Sequence, residues 1–154
     1  MRSLSEIETT SKRASRAAGF SWGIAEEIGK SIRLLELFGL AGIKNLNEYF
    51  KARSNKKFEN LKLISKKNEA SEFEYCPIMI GLSFLDQIRS IENLSKIKFD
   101  KIAYPLLILP FISRSSEIIG KKIHIKFDHY EFLLNLNVNI SSNLFNQNFP
   151  IIAN

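Results

Sequence analysis

The chain has little of what reactive sites and membrane spans are usually built from. Cys76 is its only cysteine, which excludes an internal disulfide and any cysteine-based zinc cluster and fits a reducing compartment. Only two histidines are present, His124 and His129. The longest apolar run, Tyr104 to Ile112, is nine residues and too short to cross a bilayer. The opening MRSLSEIETT has no apolar signal core. Glycine-rich phosphate loops, internal repeats and low-complexity linkers are all missing. These absences favour a cytoplasmic protein with no membrane span, no metal and no cofactor.

What is present suits one globular domain over residues 1–154, with 45% hydrophobic and 25% charged residues, enough for a real core. The net charge of +6 is concentrated: residues 51–67 carry seven cations, from Lys51 to Lys67, against Glu59 alone, and the remainder is neutral. A basic cluster of this kind is either a solvated connection or a phosphate footprint. Phe58 is the one aromatic inside it, so a stacking platform for single strands is not supported.

The stretch Phe20 to Leu40 organises the N-terminal half. Ser21 is an N-cap, Gly39 a left-handed stop, and Ile24, Ile28, Leu35 and Phe38 recur near helical spacing. Ile32, Leu34 and Leu37 widen the apolar surface, so this helix should be buried on more than one side. Gly23 and Gly29 each weaken it by about 1 kcal/mol relative to alanine, which points to close approach by a neighbour. The preceding helix starts at the capping box Ser3 and Glu6 and ends at Gly19, with Ala14, Ala17 and Ala18 as small partners for Gly23, Ala25 and Gly29. The pair resembles a helix-turn-helix in outline only, since its second helix is too apolar to read base edges.

A third, shorter helix is predicted from Ile43 to Lys51. Phe73 to Ile80 reads as a strand, with Pro77 placing it at an edge, and Ser83 to Ile91 as a helix. Pro105 to Leu109 reads as a buried extended segment entering a helix that has Pro110 in its first turn and ends at Gly120. Alternation of Ile123, Ile125 and Phe127, and then of Leu134, Leu136, Val138 and Ile140, predicts two half-buried antiparallel strands around a turn at residues 128–131. The fold class is therefore α+β: a helical hairpin and a short third helix packed on a small, mainly antiparallel sheet.

The runs Ser3 to Glu8, Lys12 to Gly19 and Trp22 to Arg33 resemble the opening of an uncharacterised bacterial family, the domain-of-unknown-function family thirty-seven twenty-six. Cys76-Pro77 and Pro105 to Phe111 resemble its two later motifs. The resemblance implies a bacterial origin and no known activity. Its members run longer, so it also implies a closing element beyond Asn154.

Candidate ligand-binding residues are Arg16, Trp22, Glu26, Glu27, Arg33 and Cys76. Glu26 and Arg33 lie seven apart on nearly the same side of the helix. With Glu27 and Arg16 they form either an ion-pair network tying the first two helices together or a pocket in which an arginine clamps a carboxylate or phosphate. Trp22, at a helix start, reads as a core anchor ahead of a ligand platform. Cys76 is the one possible thiol nucleophile, needing His124, His129 or Glu26 beside it, and is otherwise inert packing. His124, Asp128 and His129 would ligate a metal only if the turn folded them inward, and strand alternation puts His124 on the polar face. A non-catalytic accessory or small-molecule-binding protein ranks first. It would take a small molecule, a protein partner or a second copy of itself. An enzyme using Cys76 or the Glu26 and Arg33 group ranks second, and nucleic-acid binding through Lys51 to Lys67 third.

Overall fold

The computed structural model describes residues 3–70, 72–127, 130–134 and 140–142, the last three by their backbone alone. Helix α1 (Leu4–Ala17) starts where the Ser3 hydroxyl accepts the Glu6 N–H at 3.2 Å. Helix α2 (Trp22–Leu37) starts where Ser21 accepts the Ile24 N–H at 3.3 Å. Gly39 follows with φ of 73°, the left-handed stop expected of it. Helix α3 (Gly42–Arg53) has no cap of its own; the Glu36 carboxylate of α2 accepts the Gly42 N–H at 2.8 Å and supplies the missing anion.

Helix α2 is buried on more than one side, against α1, α3 and α5. A methyl group on Gly29 would lie 2.8 Å from the Glu8 carbonyl oxygen, so this glycine is where the α1 and α2 backbones close up. The expected alanine partners are not the contact: Gly29 meets Glu8 and Lys12, nothing approaches Gly23, and Ala17 is exposed. Ser11 and Ser15 line the buried stripe of α1 instead, and the Ser15 hydroxyl satisfies itself on the Ser11 carbonyl at 2.7 Å.

The predicted strand at residues 73–80 is overturned. Helix α4 (Pro77–Ile91) begins inside it, with proline in the first helical turn, where a missing N–H costs nothing. Tyr75 alone keeps extended pairing, bridging Glu59 on one side and Ile102 on the other. A second parallel stitch joins β1 (Lys67–Asn68) to β2 (Lys98–Phe99). Pro105–Ile108 is a 3-10 helix where an extended segment was expected, and it runs into α5 (Leu109–Ile119), closed by Gly120 at φ of 66°.

Strand β3 (Ile123–Phe127) pairs antiparallel with β4 (Tyr130–Leu134), which pairs with β5 (Ile140–Ser142). The second strand therefore begins at Tyr130, inside the span expected to be the turn. Residues 128–129 and 135–139 lie outside the described residues. Helix α5 carries this sheet, packing on β3 and β4 and also on α2 and α4. The Ser116 hydroxyl sits between the carbonyls of Lys121 and Leu134, tying helix to strand. The α+β class and the small antiparallel sheet are thus as expected. Among the described residues no helix is long and apolar enough to cross a membrane.

Candidate functional site

The charged residues singled out on α1 and α2 have partners. Lys12 meets Glu26 at 3.4 Å and Arg33 meets Glu8 at 3.2 Å, two links between α1 and α2 on opposite flanks of Gly29. Glu27 reaches across to Arg114 of α5. The Arg16 guanidinium donates to the Phe20 carbonyl at 3.0 Å, closing the turn between α1 and α2. Trp22 is 59% exposed, not a core anchor. Its ring is covered by Arg16 at 4.8 Å and Lys12 at 5.1 Å, so it screens cations at the helix start.

Cys76 lies elsewhere, in a pocket of about 390 Å³ where four parts of the chain meet. Phe20 comes from the turn between α1 and α2, and Tyr49 and Arg53 from the last turns of α3. Lys56, Lys57, Phe58 and Asn60 come from the connection that follows, and Cys76 and Met79 from the start of α4. The connection is held by Glu59. Its backbone takes the Cys76 N–H at 2.8 Å, and its carboxylate accepts the N–H groups of Glu72 and Phe73 at 2.9 and 3.1 Å. Further along, Ser83 and Gln87 of α4 grip Leu61, Lys62 and Ile64 through hydrogen bonds to their backbones.

The pocket floor is the Tyr49 hydroxyl donating to the Cys76 sulfur at 2.6 Å, with both residues buried. The Tyr49 ring stands edge-on to Phe58, centroids 5.1 Å apart, and beside Tyr104 at 5.8 Å. The Arg53 guanidinium carbon lies over Phe20 at 4.1 Å from the ring centroid, and its Nη1 is buried with no hydrogen-bond partner. Lys56 is neutralised by Glu74 at 2.9 Å, whereas Lys57 is exposed and forms no ion pair among the described residues. Lys51 and Lys67 also have carboxylate partners, Glu48 and Glu69, so the basic segment is less free than its sequence implies.

Burial pushes the Cys76 thiol above its ordinary range, and the Tyr49 hydroxyl, the N–H groups of Met79 and Ile78 and the Arg53 guanidinium oppose that without overcoming it. Burial likewise pushes the Tyr49 phenol up, helped by the adjacent sulfur. Cys76 is therefore a neutral thiol at physiological pH, and a thiol is a poor nucleophile. Neither Glu26 nor His124 lines the pocket; His124 is exposed on β3, and Asp128 and His129 lie outside the described residues. Among the described residues no group of three or more histidine, cysteine, aspartate or glutamate side chains is placed to hold a metal ion.

These two raised values fix a pH dependence. The folded chain keeps a proton that the unfolded chain releases, so the stabilisation is complete below the ordinary thiol value of 9.0 and is lost as pH climbs from there towards the folded value. The urea midpoint of the parent minus that of Cys76→Ala is expected to be level from about pH 7 to 8 and to fall above about pH 9. A difference that stays flat to about pH 10 would show that the thiol titrates normally in the folded protein.

Arg53, Tyr49 and Phe58 were not singled out from sequence as site residues. They sit in a helix end and a polar connection whose charge run masks them, and no local spacing brings them to Cys76. Neither a curated protein nor a solved structure matches the chain. The Cys76-Pro77 and Pro105 to Phe111 motifs fall beyond a matching family segment, which contributes every pocket residue except Cys76 and Met79. That segment, residues 2–75, matches the family described as a protein of unknown function (DUF3726), as its N-terminal motifs lead one to expect.

Proposed function

We propose that this is a non-catalytic, cytoplasmic binding protein that takes an anionic small molecule in the pocket between α3, the connection after it and the start of α4. The observation that carries the reading is a pocket lined by Arg53 and Lys57, neither in an ion pair among the described residues, and by no carboxylate. An anion entering there would meet two cations that no carboxylate neutralises, and charge-assisted hydrogen bonds to such groups are the stronger ones. Catalysis is disfavoured by the thiol. Burial keeps Cys76 protonated, and Tyr49 donates a proton to the sulfur, whereas a general base would withdraw one.

The test is native mass spectrometry of the protein purified from a bacterial host close to its own, set beside its mass after denaturation. A non-covalent adduct that denaturation releases, and that Arg53→Ala fails to retain, is the expected result. A clean apo mass with a defined dimer or a co-purifying protein would transfer the assignment to a partner-binding role.

A further inference from the structure

Apart from the pocket, we infer that the chain docks on an anionic lipid surface, without spanning it, through the stitch of β1 to β2, with Leu63 as the apolar tip. The stitch gathers Lys66, Lys67 and Lys98 from stretches remote in sequence, with Lys62 and Lys96 within four residues of them, and all five are exposed. Lys67 and Lys98 are in register, on strands that neighbour each other at about 4.8 Å, so two like charges stand side by side. Glu69 and Asp100 flank the stitch. Glu69 takes Lys67 at 3.1 Å, and the other four lysines form no ion pair among the described residues. The sequence-expected basic segment thus loses Lys51 and Lys56 to carboxylates and gains Lys96 and Lys98 through the fold.

Two amide side chains hold this surface in shape. Buried Asn68 donates to the carbonyls of Ser65 at 2.8 Å and Lys98 at 3.0 Å and accepts the Ser65 N–H at 2.9 Å. Lys98 donates its own N–H to the Lys66 carbonyl at 2.8 Å. Gln87 of α4 accepts the Ile64 N–H at 2.9 Å and donates to the Lys62 carbonyl, so the backbone is bonded on both sides of Leu63. Ile64 is 4% exposed and Leu63 is 78% exposed. A lone exposed leucine is ordinary on a protein surface. This one is held outward by its neighbours' bonds and set among unpaired lysines.

An anionic bilayer uses both features: its phosphates match the lysines, and the hydrocarbon beneath them receives the leucine. Nucleic acid uses only the first. Residues 62–68 and 96–98 contain no arginine and no aromatic residue to read or stack a base, and Leu63 would stand against phosphate.

The test is co-sedimentation of the full chain with vesicles of phosphatidylcholine alone and of phosphatidylcholine mixed with phosphatidylglycerol in equal parts, beside a short DNA duplex. Binding to the mixed vesicles and not to phosphatidylcholine alone is expected. Lys66→Gln together with Lys98→Gln should weaken it by about fivefold for each lysine removed. Leu63→Ser should weaken it roughly tenfold, the worth of burying most of a leucine side chain. All three positions are exposed, so these variants keep the fold. Equal binding to both kinds of vesicle, or binding that Leu63→Ser leaves unchanged, would overturn the proposal. So would absence of vesicle binding, and a duplex bound in its place would assign the lysines to nucleic acid.

Discussion

Tyr49→Ala is expected to destabilise the protein by about 3–5 kcal/mol, and Tyr49→Phe by only about 1 kcal/mol. Tyr49 is 1% exposed and its ring is shared by Phe50, Phe58 and Tyr104, so alanine opens a cavity among three aromatic neighbours. Phenylalanine fills the same space and removes only the hydroxyl that donates to the Cys76 sulfur at 2.6 Å. Urea denaturation of the two variants checks the split. Equal losses would mean that the contact with sulfur, and not ring packing, holds the pocket floor together.

Gly81→Ala should destabilise by about 2 kcal/mol, although alanine is the better helix former by about 1 kcal/mol. Gly81 of α4 faces Phe111 of α5, and an added methyl carbon would lie 2.7 Å from Cγ and 3.0 Å from Cε2 of that ring. Phe111 is completely buried and cannot swing aside, so the two helices must part. Phe111→Leu in the same chain should restore part of the loss, and the double-mutant cycle reports the coupling. A neutral or stabilising Gly81→Ala would mean that α4 and α5 do not approach as closely as the structure places them.

Much of the fold is legible in the sequence because its signals are local. Ser3, Ser21, Gly39 and Gly120 each mark a helix end through the chemistry of a few neighbouring residues, and each marks a real one. Alternation over Ile123 to Phe127 likewise gave a real strand. Failure came where one local feature supports two outcomes. Pro77 among β-forming residues fits a sheet edge and a first helical turn equally well, and packing of α4 on α5 chose the helix. Glu36 capping α3 was hidden for the opposite reason, since its carboxylate serves an amide six residues on, across a turn. The site was the least legible part. Phe20, Arg53 and Cys76 are brought together by tertiary structure alone, and a charge run that looks like solvated surface contains Arg53, whose Nη1 is buried.

The stitches through Tyr75 have a further consequence, for the order in which the molecule assembles. Helices α1 and α2 are neighbours in sequence and can close early, at small entropic expense. The segment over the pocket is different. It hangs on a ladder that joins residue 59 to 75 and 75 to 102, with Tyr75 donating its N–H to Lys101 at 2.9 Å and accepting from Ala103 at 3.1 Å. Those long loops must close before any of the bonds forms, so the pocket is completed late in folding and its cover is among the first parts to open in the native state. Amide hydrogens of Glu59 and Cys76 should therefore exchange ahead of those of α2 and α5, through excursions too small to unfold the core.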